Sequence, residues 1–100
     1  MPEIRIELDS ETLSNPDLDI RYRLPESLAA IPDSTMTDNG YDYTDDSPPA
    51  LLIFLKSDDP EKDASLSIAF LRSTWVLGNN VLEAATICVS GKDEEWCQVF

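Results

Sequence analysis

The side chains able to do chemistry in this chain are carboxylates, thiols and phenols. Of its 100 residues 20 are Asp or Glu, 2 are Cys, 3 are Tyr and none is His. Without imidazole there is no Ser-His-Asp or Cys-His nucleophile and no histidine-ligated metal. Ser-x-x-Lys, Gly-x-Ser-x-Gly, the Walker phosphate loop and the dinucleotide glycine fingerprint are absent as well. Carboxylate pairs occur at Asp17 and Asp19 and at Asp45 and Asp46. A catalytic pair needs one member in an apolar pocket so that the two pKa values split, and in so acidic a chain adjacent acids arise by chance. Glu83, between Leu82 and Ala84, has the most apolar setting and reads as the exposed side of a short helix. No enzymatic activity is expected.

Metal binding fares no better. Asp33 to Asp46 holds five aspartates and no base, and hard cations such as calcium take six to eight oxygens. Aligning Gly40 with the glycine of a calcium loop puts Thr35, Thr37 and Asn39 at the first three ligand positions and Asp46 at the last. The Asp-x-Asp-x-Asp-Gly pattern is missing, so neither a metal nor a cofactor is expected. Cys88 and Cys97 are nine apart, not Cys-x-x-Cys, and no third thiol completes a zinc site. Met1, Pro2, Glu3 and Ile4 do not begin a signal peptide. The expectation is a cytoplasmic chain with two reduced thiols.

Binding is the better reading. Tyr41 and Tyr43 sit among Asp38, Asp42, Asp45 and Asp46. Aromatic residues dominate binding hot spots, and two amphipathic rings in a negative field suit a basic groove. These six residues are the candidate partner-binding site. The formal net charge of -13 points the same way. It repels nucleic acid and anionic lipid, which need Lys and Arg against phosphate. It attracts basic proteins and speeds their encounter. The charge also serves solubility. No apolar run approaches the ~18 residues of a membrane-spanning helix.

The elements that must position these residues read as follows. Ile4, Ile6 and Leu8 alternate with polar residues, a half-buried strand over 3–9. Leu18, Ile20, Tyr22 and Leu24 alternate in the same way and predict a strand over 17–24. A helix capped near Asn15 competes, but Pro25 would fall inside it. Pro25 can instead open a short helix over 26–31 that ends before Pro32. The stretch 33–49 reads as a flexible acidic loop, with Tyr41 and Tyr43 as a short edge strand in the alternative. Ala50 to Leu55 is apolar at every position and reads as a strand over 50–56 covered on both faces.

Asp58, Asp59, Pro60 and Glu61 are helix-start residues, and Ala64, Ile68, Leu71 and Trp75 follow at helical spacing. They predict a helix over 60–74 with Trp75 in the core; alternation of Ala64, Leu66, Ile68 and Phe70 is the strand alternative. A short helix over 80–85 leads to strands over 86–90 and 95–100. A four-residue turn between these strands sets Cys88 opposite Cys97 and Val89 opposite Trp96, with Ile87, Val89, Trp96 and Phe100 on one face.

The sum is one small α+β domain, 1–100, with about five mostly antiparallel strands and one main helix packed on them. The expected core is Ile4, Ile6, Leu8, Ile20, Leu52, Phe54, Ile68, Leu71, Ile87, Val89 and Trp96. The expected function is non-catalytic protein binding, of the inhibitor or immunity-protein kind, with the acidic surface docked on a basic partner. The alternative is an accessory subunit of a larger complex. A nucleic-acid mimic is weakened by arginines alternating with the acids, and carboxylate-based divalent-metal binding by the missing loop pattern.

Overall fold

Alternation along residues 3–8 does what it predicts. In a computed structural model of the chain, which describes residues 2–15, 18–90 and 95–100, Glu3–Leu8 is strand β1, with Ile4, Ile6 and Leu8 fully buried. It is the middle strand of five. The chain continues through α1 (Ile20–Ala29), β2 (Thr37–Tyr43), β3 (Leu51–Lys56), α2 (Pro60–Ser73), α3 (Val81–Ala84), β4 (Ala85–Ser90) and β5 (Trp96–Gln98). The sheet order is β2-β3-β1-β4-β5, with every neighbouring pair antiparallel. Helix α1 joins β1 to β2 across β3, and α2 with α3 joins β3 to β4 across β1. These are two interlocked split β-α-β units in a single α+β domain.

All of the core lies on one side of the sheet. Ile4, Ile6 and Leu8 pair with Leu55, Ile53 and Leu51 on β3 and with Val89, Ile87 and Ala85 on β4. Ile20, Leu24 and Leu28 of α1 and Ala64 and Leu71 of α2 close over them in one cluster, with Ile68 packed against its edge. Each fully buried aliphatic side chain contributes about 1.5–3 kcal/mol. The other face carries no helix. Leu52 and Phe54 point to it and are half-buried. The apolar run 50–55 is therefore not a strand covered on both sides: the buried set is Leu51, Ile53 and Leu55.

Several expectations need correction. The strand expected over 17–24 is the first half of α1, as far as described residues show, and the expected helix over 26–31 is its second half. Ile20, Leu24 and Leu28 recur every four residues, and burying that stripe outweighs the hydrogen bond lost at Pro25, whose own ring is buried. The period-two face meanwhile is wet: Leu18 is 60% and Tyr22 49% exposed. The acidic stretch expected to be a loop over 33–49 yields a seven-residue strand, β2. Its Asn39-Gly40 pair makes no hairpin. It forms a bulge, with the register shifting between Asp38 and Tyr41 and Gly40 at φ 93°.

The main helix keeps its expected start. Asp59 caps it, its side chain accepting from the Lys62 N–H at 3.3 Å, and Pro60 opens it. The helix ends at Ser73, so Trp75 lies beyond it and is 64% exposed rather than in the core. Strand β5 is shorter than 95–100, and its register is one residue from that expected. Ser90 faces Trp96, Val89 faces Cys97 and Cys88 faces Gln98. The turn expected at 91–94 lies outside the described residues. The one-residue difference turns every β5 side chain over. Trp96 leaves the core face and stands, 38% exposed, on the open face.

Candidate functional site

Strand β2 is the edge of the sheet, and all seven of its residues are exposed. Four of the six candidate residues, Asp38, Tyr41, Asp42 and Tyr43, lie on it. Asp45 and Asp46 are exposed in the connection to β3. Tyr41 pairs with Ile53 and Tyr43 with Leu51, so both rings stand on the helix side of the sheet, against α1. There Tyr22 joins them. Tyr22 and Tyr41 meet edge-to-face with ring centres 5.9 Å apart, and Tyr41 and Tyr43 do so at 6.0 Å. Such edge-to-face pairs are worth about 0.5–1.5 kcal/mol each beyond their burial.

Arg21 ties the row together. Its guanidinium lies 4.9 Å from the Tyr22 ring centre and 5.1 Å from that of Tyr41. Hydrogen bonding to the Tyr43 hydroxyl leads the causes that raise its pKa above the ordinary arginine value. The Tyr41 phenol is also pushed up, chiefly by hydrogen bonding with Tyr22 and against the pull of the Arg21 charge. The result is three half-exposed rings locked in one geometry around a cation, with carboxylates on the strand that carries two of them. A small apolar hollow of about 50 Å³ opens at the foot of the row, between Tyr43, Leu13, Leu18 and Pro49.

The aspartates on the strand have a second task. Thr44 N–H donates to Ala50 C=O at 2.9 Å, which fixes the alternation of the ladder. Asp42 is then in a hydrogen-bonded pair, while Tyr41 and Tyr43 turn their N–H and C=O groups to the free edge. Asp42 Oδ1 accepts the Tyr43 N–H at 2.8 Å, and Asp38 Oδ1 accepts the Gly40 N–H at 2.8 Å. The Asp42 carboxylate covers an edge donor that would otherwise be open to another strand, and that of Asp38 holds the bulge.

Two further clusters had no sequence signal strong enough to find them. Asp63, in the first turns of α2, is fully buried. It accepts from the Thr35 N–H at 3.2 Å, from the Thr35 hydroxyl at 2.6 Å and from the Ser57 hydroxyl at 2.5 Å. Those hydroxyls in turn accept the Asp58 and Asp59 N–H groups. The acid thus gathers the start of α2, the end of β3 and the approach to β2. On the open face, Arg5 lies 4.6 Å from the Trp96 ring centre and donates to Cys88 Sγ at 3.6 Å, with Phe54 beside Trp96 at 6.5 Å. Cys88 and Cys97 are free thiols, the first buried and the second exposed. Glu83 is exposed on α3. Among the described residues no three Cys, Asp or Glu side chains are grouped to hold a metal, and no helix is long and apolar enough to cross a membrane.

No family model, no curated protein and no solved structure matches this chain.

Proposed function

We propose that the protein is a non-catalytic binding module that docks its acidic β2 side on a basic protein partner, as an inhibitor or immunity-type protein would. The observation that carries this reading is the Tyr22-Tyr41-Tyr43 row, half-exposed yet held by Arg21, on the edge strand that also bears Asp38 and Asp42. Rigid aromatic rings lose little entropy when a partner covers them. Asp42, Asp45 and Asp46 supply a field that steers a cationic surface to them. The hollow beside Tyr43 offers a place for one aliphatic side chain of the partner. The free thiols suit a reducing, cytoplasmic setting.

The test is an NMR titration of the ¹⁵N-labelled protein with a Lys- and Arg-rich octapeptide at low salt. The expected result is a set of amide shifts grouped on residues 37–46 and around Tyr22. Shifts spread over every acidic stretch of the chain would reduce the charge to a solubility device and overturn the reading. An accessory subunit is the second reading, favoured by the helix-free face of the sheet.

A further inference from the structure

The helix-free face differs in charge from the rest of the molecule. Glu3, Arg5 and Glu7 of β1 point to it, with Lys56, Phe54 and Leu52 of β3 opposite them and Ser90, Cys88 and Thr86 on the other flank. Asp42, which pairs with Leu52, and Trp96, which pairs with Ser90, stand at its two sides. Among the described residues it therefore carries three carboxylates against two cations, in a chain of net charge -13. Leu52 and Phe54 lie on its second strand, and the Trp96 ring reaches in from the edge strand to Arg5 and Phe54, with Cys88 buried beside them. Arg5 holds its place by the Trp96 ring and the Cys88 sulfur, and its Nε is buried without an acceptor among the described residues.

We infer that this face is a self-association surface, on which a second copy of the chain stacks sheet against sheet about a two-fold axis. The charge pattern selects that occupant. Along β1 the order is acid, base, acid. Two antiparallel copies offset by one alternate position set Arg5 of each against Glu3 of the other, within reach of long side chains across sheets stacked about 10 Å apart. A strongly basic partner is matched by the tyrosine edge and finds no such excess of acid here. Four strands of six or seven residues and the three-residue β5, about 4.8 Å apart and about 3.4 Å per residue, make a face of roughly 450 Å² per copy. Two such faces come to roughly 900 Å², just under the ~1,000 Å² of specific interfaces, so the dimer is weak and reversible. The remaining acids of the two copies repel one another over distances that salt screens. Association through this face is therefore strengthened by salt, the opposite sign to docking of a basic protein.

Sedimentation equilibrium on the full chain tests this, up to about 1 mM protein and at salt from about 0.01 M to 0.15 M, where the screening length falls from ~30 to ~8 Å. The expected result is a monomer–dimer equilibrium that tightens as salt rises. Phe54→Ser and Trp96→Ser each weaken it about tenfold or more, the loss typical of a hot-spot aromatic, with unchanged circular dichroism. Arg5→Glu weakens it too, and Arg5→Glu with Glu3→Arg restores it, which a merely misfolded variant does not do. A chain that stays monomeric at every salt overturns the inference. So does a dimer that survives both aromatic substitutions, because its interface then lies elsewhere.

Discussion

Tyr41 and Asp63 show how differently one polar side chain can be used in this fold. Tyr41 is held at the surface by Tyr22, Tyr43 and Arg21, and its phenol is raised above its ordinary value of 10.0. Because the folded-state value is the higher one, the contribution of the row is fully present below about pH 10 and is lost as pH rises through Tyr41's own value. Following the Tyr41 Cζ resonance against pH should show ionisation later than in a free phenol, and Tyr22→Phe should bring it earlier. A Tyr41 that titrates as a free phenol in both proteins would contradict the geometry of the row. Asp63 does the reverse work, inside. Asp63→Ala takes the acceptor away from the buried Ser57 hydroxyl and from the N–H and hydroxyl of Thr35 at the rim of the cluster. Urea unfolding should show a loss on the order of 3 kcal/mol, with Asp63→Asn losing roughly half of that because one acceptor remains. A change under about 0.5 kcal/mol would mean that water replaces the carboxylate without cost.

At the scale of the element, β2 is the segment on which the account depends. An exposed edge invites pairing with any other strand, and short carboxylates that cap their own backbone donors are one protection. Replacing Asp38 and Asp42 by Ala should lower the hydrogen-exchange protection of the Gly40 and Tyr43 amides while leaving that of Ile6 and Ile53 in the core unchanged. Equal protection in both proteins would show that the two carboxylates do not hold those amides. The same strand marks the limit of what could be read beforehand. β1 and α2 were legible because alternation and a capped, Pro-led start are local signals. β2 was legible only in part: Tyr41 and Tyr43 at period two offered an edge strand as the alternative, whereas Thr37 to Gly40, polar, exposed and bulged, carry no apolar alternation. α1 was misread because its stripe of Ile20, Leu24 and Leu28 coexists with a period-two pattern and a proline, and only the sheet beneath decides between them. The six proposed binding residues could be named from composition. Arg21 and Tyr22 could not, since the α1–β2 contact that brings them to Tyr41 is a tertiary one. On β5 a one-residue difference in register moved Trp96 from one face to the other, a distinction that hydrophobicity alone does not make.

The whole molecule is a sheet with three distinct surroundings: helices over one face, a charge-balanced aromatic surface on the other, and an acidic, tyrosine-bearing edge. Its net charge of -13 makes any docking of a basic protein at that edge depend on salt. The central claim is that β2 and its tyrosines form the docking surface. The most direct measurement is capture of partners from the native lysate by the immobilised protein and by its Tyr41→Ser, Tyr43→Ser variant, at low salt and at about 0.5 M, where exposed charges are screened. The account predicts a basic protein retained by the unaltered chain at low salt, released at high salt, and not held by the variant, whose net charge is the same. Equal retention by both proteins, or retention that salt leaves untouched, would contradict it.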